Sequence, residues 1–335
     1  MAIDNIRLEV MQLLEKKIDS YVEEFLIPID KVWQPTDFLP DSQNQDTFFE
    51  EVKELRELAK ELPYDFWVVL VGDTITEEAL PTYESWLMDV EGINQHHDEG
   101  KGNGWSRWTR YWTSEENRHG DVLSKYLYLS GRVNMIEIER TTQHLINDGF
   151  DIGTDRDPYK NFVYTSFQEL ATYVSHNRVA KLAKQYSNKS LSKMCRIISG
   201  DEMRHYNAYS EFVRSIFEVD PSQMMIAFSD MMKNKIVMPA HFLRESGDAI
   251  GTAFEEFSNA AQRLGVYTSQ DYIDIMQKLI DKWNIDQLVD LTDEAEKARD
   301  FVMKLPARMQ RISERIKIPE ESYIFKWVEP ATIKS

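Results

Sequence analysis

Apolar residues recur at intervals of three and four along most of the chain, from Ile6 to about Arg315, and no segment sustains the alternation typical of a β-strand. This spacing predicts amphipathic helices. Clusters of Gly, Pro, Asn and Asp interrupt the pattern and predict the connections between helices. The clearest of these lie at residues 35–40, 92–104, 131, 149–158, 220–221 and 247–251. The fold class is therefore expected to be all-α.

Three of the predicted helices are unusually long, at residues 105–129, 159–186 and about 191–217. At about 1.5 Å per residue each would span a whole domain, so we expect them to pack side by side as a bundle. Gly131 is expected to stop the first of them. Beyond Met238-Pro239 the helices are expected to be shorter and to flank the bundle, and residues 323–328 alternate enough for a strand or small C-terminal β-hairpin. No Gly/Ser linker divides the chain, which favours one domain over residues 1–335 with its core helices at about 66–217.

Composition limits the classes of function. The 335 residues are 42% hydrophobic, enough for a large core, and the formal charge of -18 argues against a nucleic-acid partner. The single cysteine, Cys195, excludes an intramolecular disulfide. No stretch approaches the roughly twenty apolar residues of a membrane span, and the first residues resemble no targeting segment. We expect a cytoplasmic protein or a processed organellar one, with no integral membrane association.

Two short segments, residues 115–119 and 201–205, repeat one order of side chains: acid, Glu, any residue, Arg, His. A Glu and a His three residues apart lie on one face of a helix, so each segment can direct a carboxylate and an imidazole to one point. Apolar residues at helical spacing continue each pair in both directions, which predicts that both pairs are buried. A carboxylate buried without a partner costs several kcal/mol, so something must compensate for both.

One Glu-x-x-His alone would most simply be a surface contact or a satisfied core hydrogen bond, but two matching copies favour a metal centre. In ferritin-like di-iron proteins, two helices each contribute one Glu and two others each contribute a Glu-x-x-His. Glu169 lies on an inward stripe between the two motifs and is the natural third carboxylate. Upstream, Glu77 and Glu78 are adjacent and periodicity cannot choose between them, while Pro81 should distort the helix there. Four carboxylates and two imidazoles suit two iron or manganese ions better than zinc.

Further polar residues could support this centre. Glu115 and Asp201, each just before a motif Glu, could orient a histidine through its second ring nitrogen, within their own helix or across the bundle. Solvation at the surface is the other interpretation of each acid. Trp112 and His176 could join them, although core packing is the simpler role for a lone aromatic or histidine in an apolar stripe.

In these segments the chain resembles the plant-type soluble acyl-ACP desaturases, the stearoyl-ACP Δ9-desaturase family. The matching blocks follow in order at residues 33–35, 72–83, 112–121, 125–133, 164–169, 201–205, 238–241 and 262–267. The resemblance implies a ferritin-like bundle that holds two iron ions per subunit through Glu77, Glu116, His119, Glu169, Glu202 and His205. It also implies a hydroxyl near the oxygen site from Thr172 and a supporting set of Trp33, Trp112, His176 and Asp201.

The activity implied by the resemblance is O2-dependent introduction of a cis double bond into a saturated acyl chain on acyl carrier protein, in fatty acid biosynthesis. It further implies ferredoxin as electron donor, a homodimer, and a location in the cytoplasm of a bacterium or in the plastid stroma. Trp86, Val90 and Asn161 would line the acyl channel, and the bulk of Trp86 and Asn161 implies an acyl chain shorter than 18 carbons. An unactivated C–H bond yields to no side-chain base at neutral pH, so the metal would carry the chemistry.

Two other functions fit the same ligands: a di-iron oxidase or hydroxylase acting on another substrate, and a ferritin-like iron-binding protein. If the partner is acyl carrier protein, which is acidic like this chain, docking should use local cations. The candidates are Lys31, Lys233 and Lys235, or the run Arg178, Lys181, Lys184, Lys189, Lys193 and Arg196. Residues 91–104 depart from the family pattern and are expected to form a variable loop, whose His96 and His97 are not assigned to metal.

Overall fold

The computed structural model describes residues 5–93 and 104–328, and its regular secondary structure there is helical, as the apolar periodicity predicts. The α-helices are α1 (Asn5–Glu15), α2 (Ile18–Phe25), α3 (Gln45–Lys60), α4 (Tyr64–Glu78), α5 (Leu80–Asp89), α6 (Gly104–Ser130), α7 (Met135–Asp148), α8 (Pro158–Gln185), α9 (Lys189–Val219), α10 (Pro221–Asn234), α11 (Phe254–Leu264), α12 (Ser269–Lys282) and α13 (Asp293–Ser313). Within these ranges, no helix is both long enough and apolar enough to cross a bilayer. The single-domain organisation stays a prediction.

The three long helices predicted from the sequence are confirmed as α6, α8 and α9. Helix α6 ends at Ser130, and Gly131 follows it at φ +65°, a conformation that favours glycine. The side chain of Asp157 caps the start of α8 by accepting a hydrogen bond from the Tyr159 backbone. Asp220 ends α9 and caps α10, where Pro221 takes the first turn and needs no backbone donor.

Helices α4, α6, α8 and α9 form the core bundle. Helix α4 packs against α6, α8 packs against α9, and α6 also contacts α9. The apolar stripes of α6 and α9 face inward: Trp108, Trp112, Leu123 and Tyr126 on α6, and Met194, Ile198, Tyr209 and Phe212 on α9, are all buried. Around this core, α10 and α12 pack on α8, α11 packs on α4, and α13 covers α10 and α12.

Two local features bring α4 close to α6. The predicted distortion near Pro81 is a break at Ala79, which separates α4 from α5, with Pro81 in the first turn of α5. Opposite this break, Gly120 of α6 lies against the α4 backbone, and a Cβ there would come within 3.1 Å of Glu77 C and Glu78 N. The missing side chain at Gly120 therefore allows the two helices to approach at the level of Glu77.

The predicted C-terminal hairpin is wrong for the residues that the structure describes. Residues 323–328 run as extended chain and turn, and Val328 forms one isolated antiparallel bridge with Val133, before α7. Trp327 is fully buried, and its indole donates a hydrogen bond to Thr141 of α7 at 3.0 Å. The apolar side chains of this segment thus hold it, as extended chain, on the helical core. They alternate because successive side chains of an extended chain point to opposite sides, whether or not a partner strand exists.

Candidate metal centre and adjoining cavity

Six side chains predicted as ligands converge in the middle of the bundle. Their carboxylate and imidazole atoms form two groups, one of Glu77, Glu116, His119 and Glu202, and one of Glu116, Glu169, Glu202 and His205. The ligand atoms of each group lie within 4.8 Å of one another. Glu116 and Glu202 belong to both groups. This arrangement can hold two neighbouring cations that share two carboxylates.

Glu77 rather than Glu78 takes part in this convergence. Glu77 lies in the last turn of α4, its side chain is 10% exposed, and one of its oxygens is 3.8 Å from His119 Nδ1. Glu78 is absent from both groups and lines a separate cleft beside Pro81. The adjacent acids differ because neighbouring helical residues point about 100° apart.

Several polar atoms that face this point are buried without a hydrogen bond. They are Glu116 Oε1, His119 Nδ1, Glu202 Oε1 and His205 Nδ1. Nδ1 of His119 lies 3.2 Å from Glu116 and 3.3 Å from Glu202, whereas Nδ1 of His205 lies 2.6 Å from Glu116. Buried polar atoms normally have partners. Carboxylate oxygen and imidazole nitrogen atoms that face one small volume without hydrogen-bond partners are suitable ligands for a divalent transition-metal ion.

The second nitrogen of each histidine meets an acid from the opposite motif. Nε2 of His119, on α6, lies 3.3 Å from Oδ2 of Asp201, on α9. Nε2 of His205, on α9, lies 3.1 Å from Oε2 of Glu115, on α6. Of the two interpretations left open by the sequence, the contact across the bundle is the one observed. Each acid holds its histidine in the orientation that points Nδ1 at the centre.

Arg204 joins the two acids. Its guanidinium donates to Asp201 Oδ1 at 2.7 Å and to Glu115 Oε2 at 2.6 Å, and its Nε donates to the Phe25 carbonyl at 3.1 Å. Glu115 also accepts a hydrogen bond from the Ile27 backbone at 2.7 Å. Both buried carboxylates are therefore paired and hydrogen-bonded, the condition under which a buried charge is tolerated.

The aromatic and hydroxyl residues of the predicted supporting set also contact the six. Trp33 Nε1 donates to Asp201 at 2.8 Å, and its ring lies parallel to that of His119 at 6.1 Å. Trp112 Nε1 donates to Glu169 at 2.9 Å. On α8, His176 Nε2 lies 2.9 Å from Glu77 Oε1, and the Thr172 hydroxyl donates to Glu202 at 2.7 Å.

The electrostatics of this cluster favour a bound cation. Burial acts to raise the pKa of Glu116, but the positive charges of His119 and His205 outweigh it and lower the pKa to about 2. Burial acts to lower the pKa of each histidine, but Glu116 and the other carboxylates around it hold both values well above the ordinary one. For Glu169, burial and the charge of Glu116 raise the pKa well above its usual range. The cluster thus draws positive charge inward, as protons or as metal ions.

A cavity of about 580 Å³ runs from three of the six residues to the surface. Glu77, Glu116 and Glu202 lie at its buried end, with Thr172 and Trp112 beside them. Apolar residues of the flanking helices line its length, among them Phe254, Phe257 and Met309, and exposed Ile312 and Ile316 mark its mouth. The volume is in the range of sites that bind small organic molecules.

The residues predicted to line an acyl channel are placed elsewhere. Val90 and Asn161 are buried and Trp86 packs edge-on against Tyr164 at 5.7 Å, and none of the three is among the side chains that line this cavity. Their contact with a substrate stays a prediction. Of the predicted docking cations, Lys235 lies at the cavity mouth, whereas Arg178 is committed to an ion pair with Asp271 at 2.5 Å. His96 and His97 lie outside the described residues.

Some site residues have no predicted role in the sequence pattern. Arg118 stacks its guanidinium over the Trp33 ring at 5.1 Å, and Arg204 bridges the two acids. The signal that could have identified both is the arginine repeated at the same place in each motif. Asp73, on the cavity wall, accepts a hydrogen bond from Ser175 at 3.1 Å. Burial raises the pKa of Asp73 to about 6.

Comparisons with known proteins give the family. The sequence model described as fatty acid desaturase matches residues 6–329. Stearoyl-acyl-carrier-protein 9-desaturase 5, a chloroplastic protein of Arabidopsis thaliana, is 47% identical over 333 residues, which cover 98% of this chain and 83% of that protein. The chloroplastic stearoyl-acyl-carrier-protein 9-desaturase of Gossypium hirsutum is 49% identical over 309 residues, which cover 92% of this chain and 77% of that protein.

Among solved structures, the X-ray structure of DesA2 from Mycobacterium tuberculosis matches with a TM-score of 0.52 at 15% identity, covering 87% of this chain and 99% of that one. That likeness concerns the fold. With a family match over nearly the whole chain and relatives close to half identical, the protein belongs to the fatty acid desaturase family.

Proposed function

We propose that this fatty acid desaturase is an O2-dependent acyl-ACP desaturase of fatty acid biosynthesis, which introduces a cis double bond into a saturated acyl chain carried on acyl carrier protein. The observation that carries the proposal is the meeting of two features: the six-residue cluster with shared Glu116 and Glu202, and an apolar cavity that ends on it. Relatives named stearoyl-acyl-carrier-protein desaturases support the same substrate class.

Glu77, Glu116, His119, Glu169, Glu202 and His205 would hold two iron ions, and the free Nδ1 and carboxylate atoms facing one point support that assignment. The bound ions would supply the O2 chemistry needed to remove hydrogen from unactivated methylenes. The protein supplies ligands, orientation and exclusion of water. His119 and His205 are fully buried, so the reacting carbons would be shielded from solvent when the acyl chain fills the cavity.

The position of the double bond would follow from the fit of the acyl chain. A fatty chain has no polar group near its middle, so the shape of the apolar wall fixes which carbon lies beside the cluster. Thr172 lines the cavity and its hydroxyl hydrogen-bonds Glu202. In the proposed reaction Thr172 would hold or donate a proton at the edge of the cluster, next to the substrate.

Acyl carrier protein would dock at the cavity mouth. Lys235 lies there, and exposed Arg311 in the last turn of α13 and Arg315 just after the helix lie close in sequence to Ile312 and Ile316. Local cations around an apolar opening suit an acidic carrier whose acyl chain must enter the protein, even though the net charge of -18 opposes the approach.

The reductant would approach from the other side of the cluster. Trp33 is hydrogen-bonded to Asp201 and stacked against His119, and Arg118 covers its outer face. This contact series would give electrons a short path through buried side chains to a ligand. We propose ferredoxin as the donor and a homodimer as the assembly, on the resemblance to the plant-type enzymes.

The test is single turnover of the purified protein. The protein is reduced without oxygen, then mixed with O2 and a series of saturated acyl-ACPs of increasing chain length, and the released fatty acids are analysed by mass spectrometry. A monounsaturated product with two iron ions per chain supports the proposal. An alcohol product would favour a hydroxylase, and a large mineral load without product would favour iron storage. Size-exclusion chromatography with light scattering tests the dimer.

A further inference from the structure

Arg118, the arginine of the first motif, is buried with most of its guanidinium unpaired. It is 6% exposed, and Nη1 donates a hydrogen bond to the Ser114 carbonyl of its own helix at 2.8 Å. Among the described residues, its Nε and Nη2 have no hydrogen-bond partner, and Nη2 lies 3.8 Å from an oxygen of Asp201. An arginine keeps its charge inside a protein, and a buried charge with few partners is costly. The place of this guanidinium therefore needs a reason beyond packing.

The arginine at the same place in the second motif has different surroundings. Arg204 donates hydrogen bonds to both Asp201 and Glu115. Arg118 instead places its guanidinium carbon 5.1 Å from the centre of the Trp33 ring, within the range of a cation–π interaction. The two motifs are thus alike in sequence, but the charge of the first arginine is directed at an indole ring.

Trp33 lies between this cation and an anion. Its Nε1 donates a hydrogen bond to Asp201 at 2.8 Å, and its ring lies parallel to that of His119 at 6.1 Å. A carboxylate at that distance stabilises positive charge on the indole, so Asp201 makes it easier to remove an electron from Trp33. Trp33 is only 8% exposed, so water screens the charge poorly. Asp201 orients His119, and its effect on Trp33 would be uncorrected without a nearby cation.

We propose that Arg118 protects Trp33 from oxidation: its positive charge opposes the loss of an electron from the indole. The step that it opposes transfers one electron from the Trp33 ring to an oxidant, which leaves an indole cation radical and reduces the oxidant by one electron. In the loaded protein the oxidant would be the metal centre after its reaction with O2. Trp33 could then relay electrons to the centre without being consumed. Arg118 acts through Trp33 rather than on the reacting atoms, so it is a positioning residue.

The part of this proposal that concerns turnover rests on the proposed function, whereas the effect of Arg118 on Trp33 does not. Like charges about 5 Å apart, at the effective dielectric constant of about 20 that describes protein sites, repel enough to change the rate of electron loss roughly tenfold. The contact is buried, so salt should reduce this effect much less than it reduces interactions between exposed charges.

The experiment measures oxidation of Trp33 in the metal-free, full-length protein. Azide radicals, generated by pulse radiolysis, take one electron from tryptophan and become azide ions. Peptide mass spectrometry then gives the fraction of Trp33 that is oxidised, relative to partly buried Trp86 as an internal reference. Arg118→Met removes the charge and keeps a long side chain, and Arg118→Lys keeps the charge. Arg214→Met removes an exposed positive charge from α9 and is the matched control.

A second measurement separates charge from steric cover. Acrylamide quenching of the Trp33 fluorescence, obtained as the difference from Trp33→Phe, reports how accessible the ring is. Arg118→Met should raise the oxidised fraction of Trp33 roughly tenfold, at low and high salt, with unchanged quenching. Arg118→Lys and Arg214→Met should stay close to the wild type. Equal oxidation in Arg118→Met and the wild type would overturn the proposal. An increase that Arg118→Lys shares, or that accompanies stronger quenching, would overturn it too, because the guanidinium would then be only a cover.

The iron-loaded protein tests the role in turnover. It is reduced and exposed to O2 repeatedly without an acyl chain, and the same peptide is analysed. Oxidised Trp33 should accumulate faster in Arg118→Met than in the wild type. Equal accumulation would refute protection of Trp33 from the centre. If the wild type bound no iron, the proposed function would be refuted, and the metal-free comparison would still decide whether Arg118 makes Trp33 harder to oxidise.

Discussion

Arg204 holds together the two acids that orient the histidines, so its removal should be unusually costly. We consider Arg204→Gln, which keeps a polar side chain but cannot reach both carboxylates. In the protein the guanidinium donates to Asp201 and Glu115 at 2.7 and 2.6 Å, and both acids are only 2% exposed. Loss of one partner of a buried ion pair typically costs about 3–5 kcal/mol. Asp201 keeps Trp33 and Glu115 keeps the Ile27 backbone, so we expect about 3 kcal/mol, at the lower end of that range.

That free energy can be converted into a melting temperature. A chain of 335 residues unfolds with an entropy of about 0.7 kcal/mol per kelvin, so the loss corresponds to a decrease in Tm of about 4 °C. Arg214, on the same helix, is the matched control. It pairs with Glu211 and Glu218 on the surface, its side chain is 44% exposed, and such pairs contribute at most about 1 kcal/mol.

The assay is thermal unfolding of the metal-free proteins by circular dichroism, at low and high salt. Arg204→Gln should lose about 4 °C at both salt concentrations, whereas Arg214→Gln should lose about 1 °C or less, and only at low salt, because exposed pairs are screened. Metal affinity gives a second measurement: loosened histidines should weaken binding about 10- to 100-fold in Arg204→Gln and leave Arg214→Gln unchanged. Equal Tm losses in the two variants would show that the buried bridge contributes no more than a surface pair.

Three further outcomes follow from the geometry. Glu116 belongs to both groups of ligand atoms and Glu169 to only one. Glu116→Gln should therefore lose both iron ions, whereas Glu169→Gln should retain about one. Equal iron contents of the two variants by elemental analysis would contradict the sharing of Glu116. Gly120→Ala should lower the Tm because its Cβ would lie 3.1 Å from the α4 backbone. Gly200→Ala is the control: a Cβ there would meet nothing within 4 Å, so the substitution should stabilise α9 by about 0.5–1 kcal/mol. A stabilised Gly120→Ala would refute the close approach of α4 and α6. Burial raises the pKa of Asp73 from 3.8 to about 6, so between these two pH values the folded state holds a proton that the unfolded state has lost. The free energy of unfolding should therefore fall by about 3 kcal/mol as the pH rises through this range. The Tm of metal-free Asp73→Asn relative to the wild type should therefore increase by about 4 °C between about pH 4 and pH 7, and a constant difference would contradict the burial argument.

The helices could be predicted because their signals are local. The stripes of α6 and α9 need only the spacing of residues along one helix, and the break at Asp220-Pro221 needs only the chemistry of two neighbours. The C-terminal segment shows the limit. Its alternation is a local signal too, but whether residues 323–328 pair with a strand or anchor on α7 depends on distant residues such as Val133 and Thr141.

The choice between Glu77 and Glu78 marks a similar limit within the site. Both lie in the last turn of α4, and the break at Ala79 comes directly after them. Which of the two faces the other ligands depends on how α4 packs against α6, where Gly120 meets the α4 backbone, and the periodicity of α4 alone does not record that packing. The cavity is beyond prediction for the same reason, since its walls come from helices far apart in the chain.

The repeated motif is better understood as one reciprocal unit than as two copies of a site. In a helical histidine whose Nδ1 faces the glutamate of its own helix, Nε2 is the ring atom farthest from that helix and nearest the opposite one. The acid that orients His119 therefore has to come from α9, and the acid that orients His205 from α6, as observed. Arg204 then donates hydrogen bonds to both acids at once. Each helix completes the other's histidine, so α6 and α9 must be in register before either group of ligands is formed, and the order acid-Glu-x-Arg-His records that mutual dependence in the sequence.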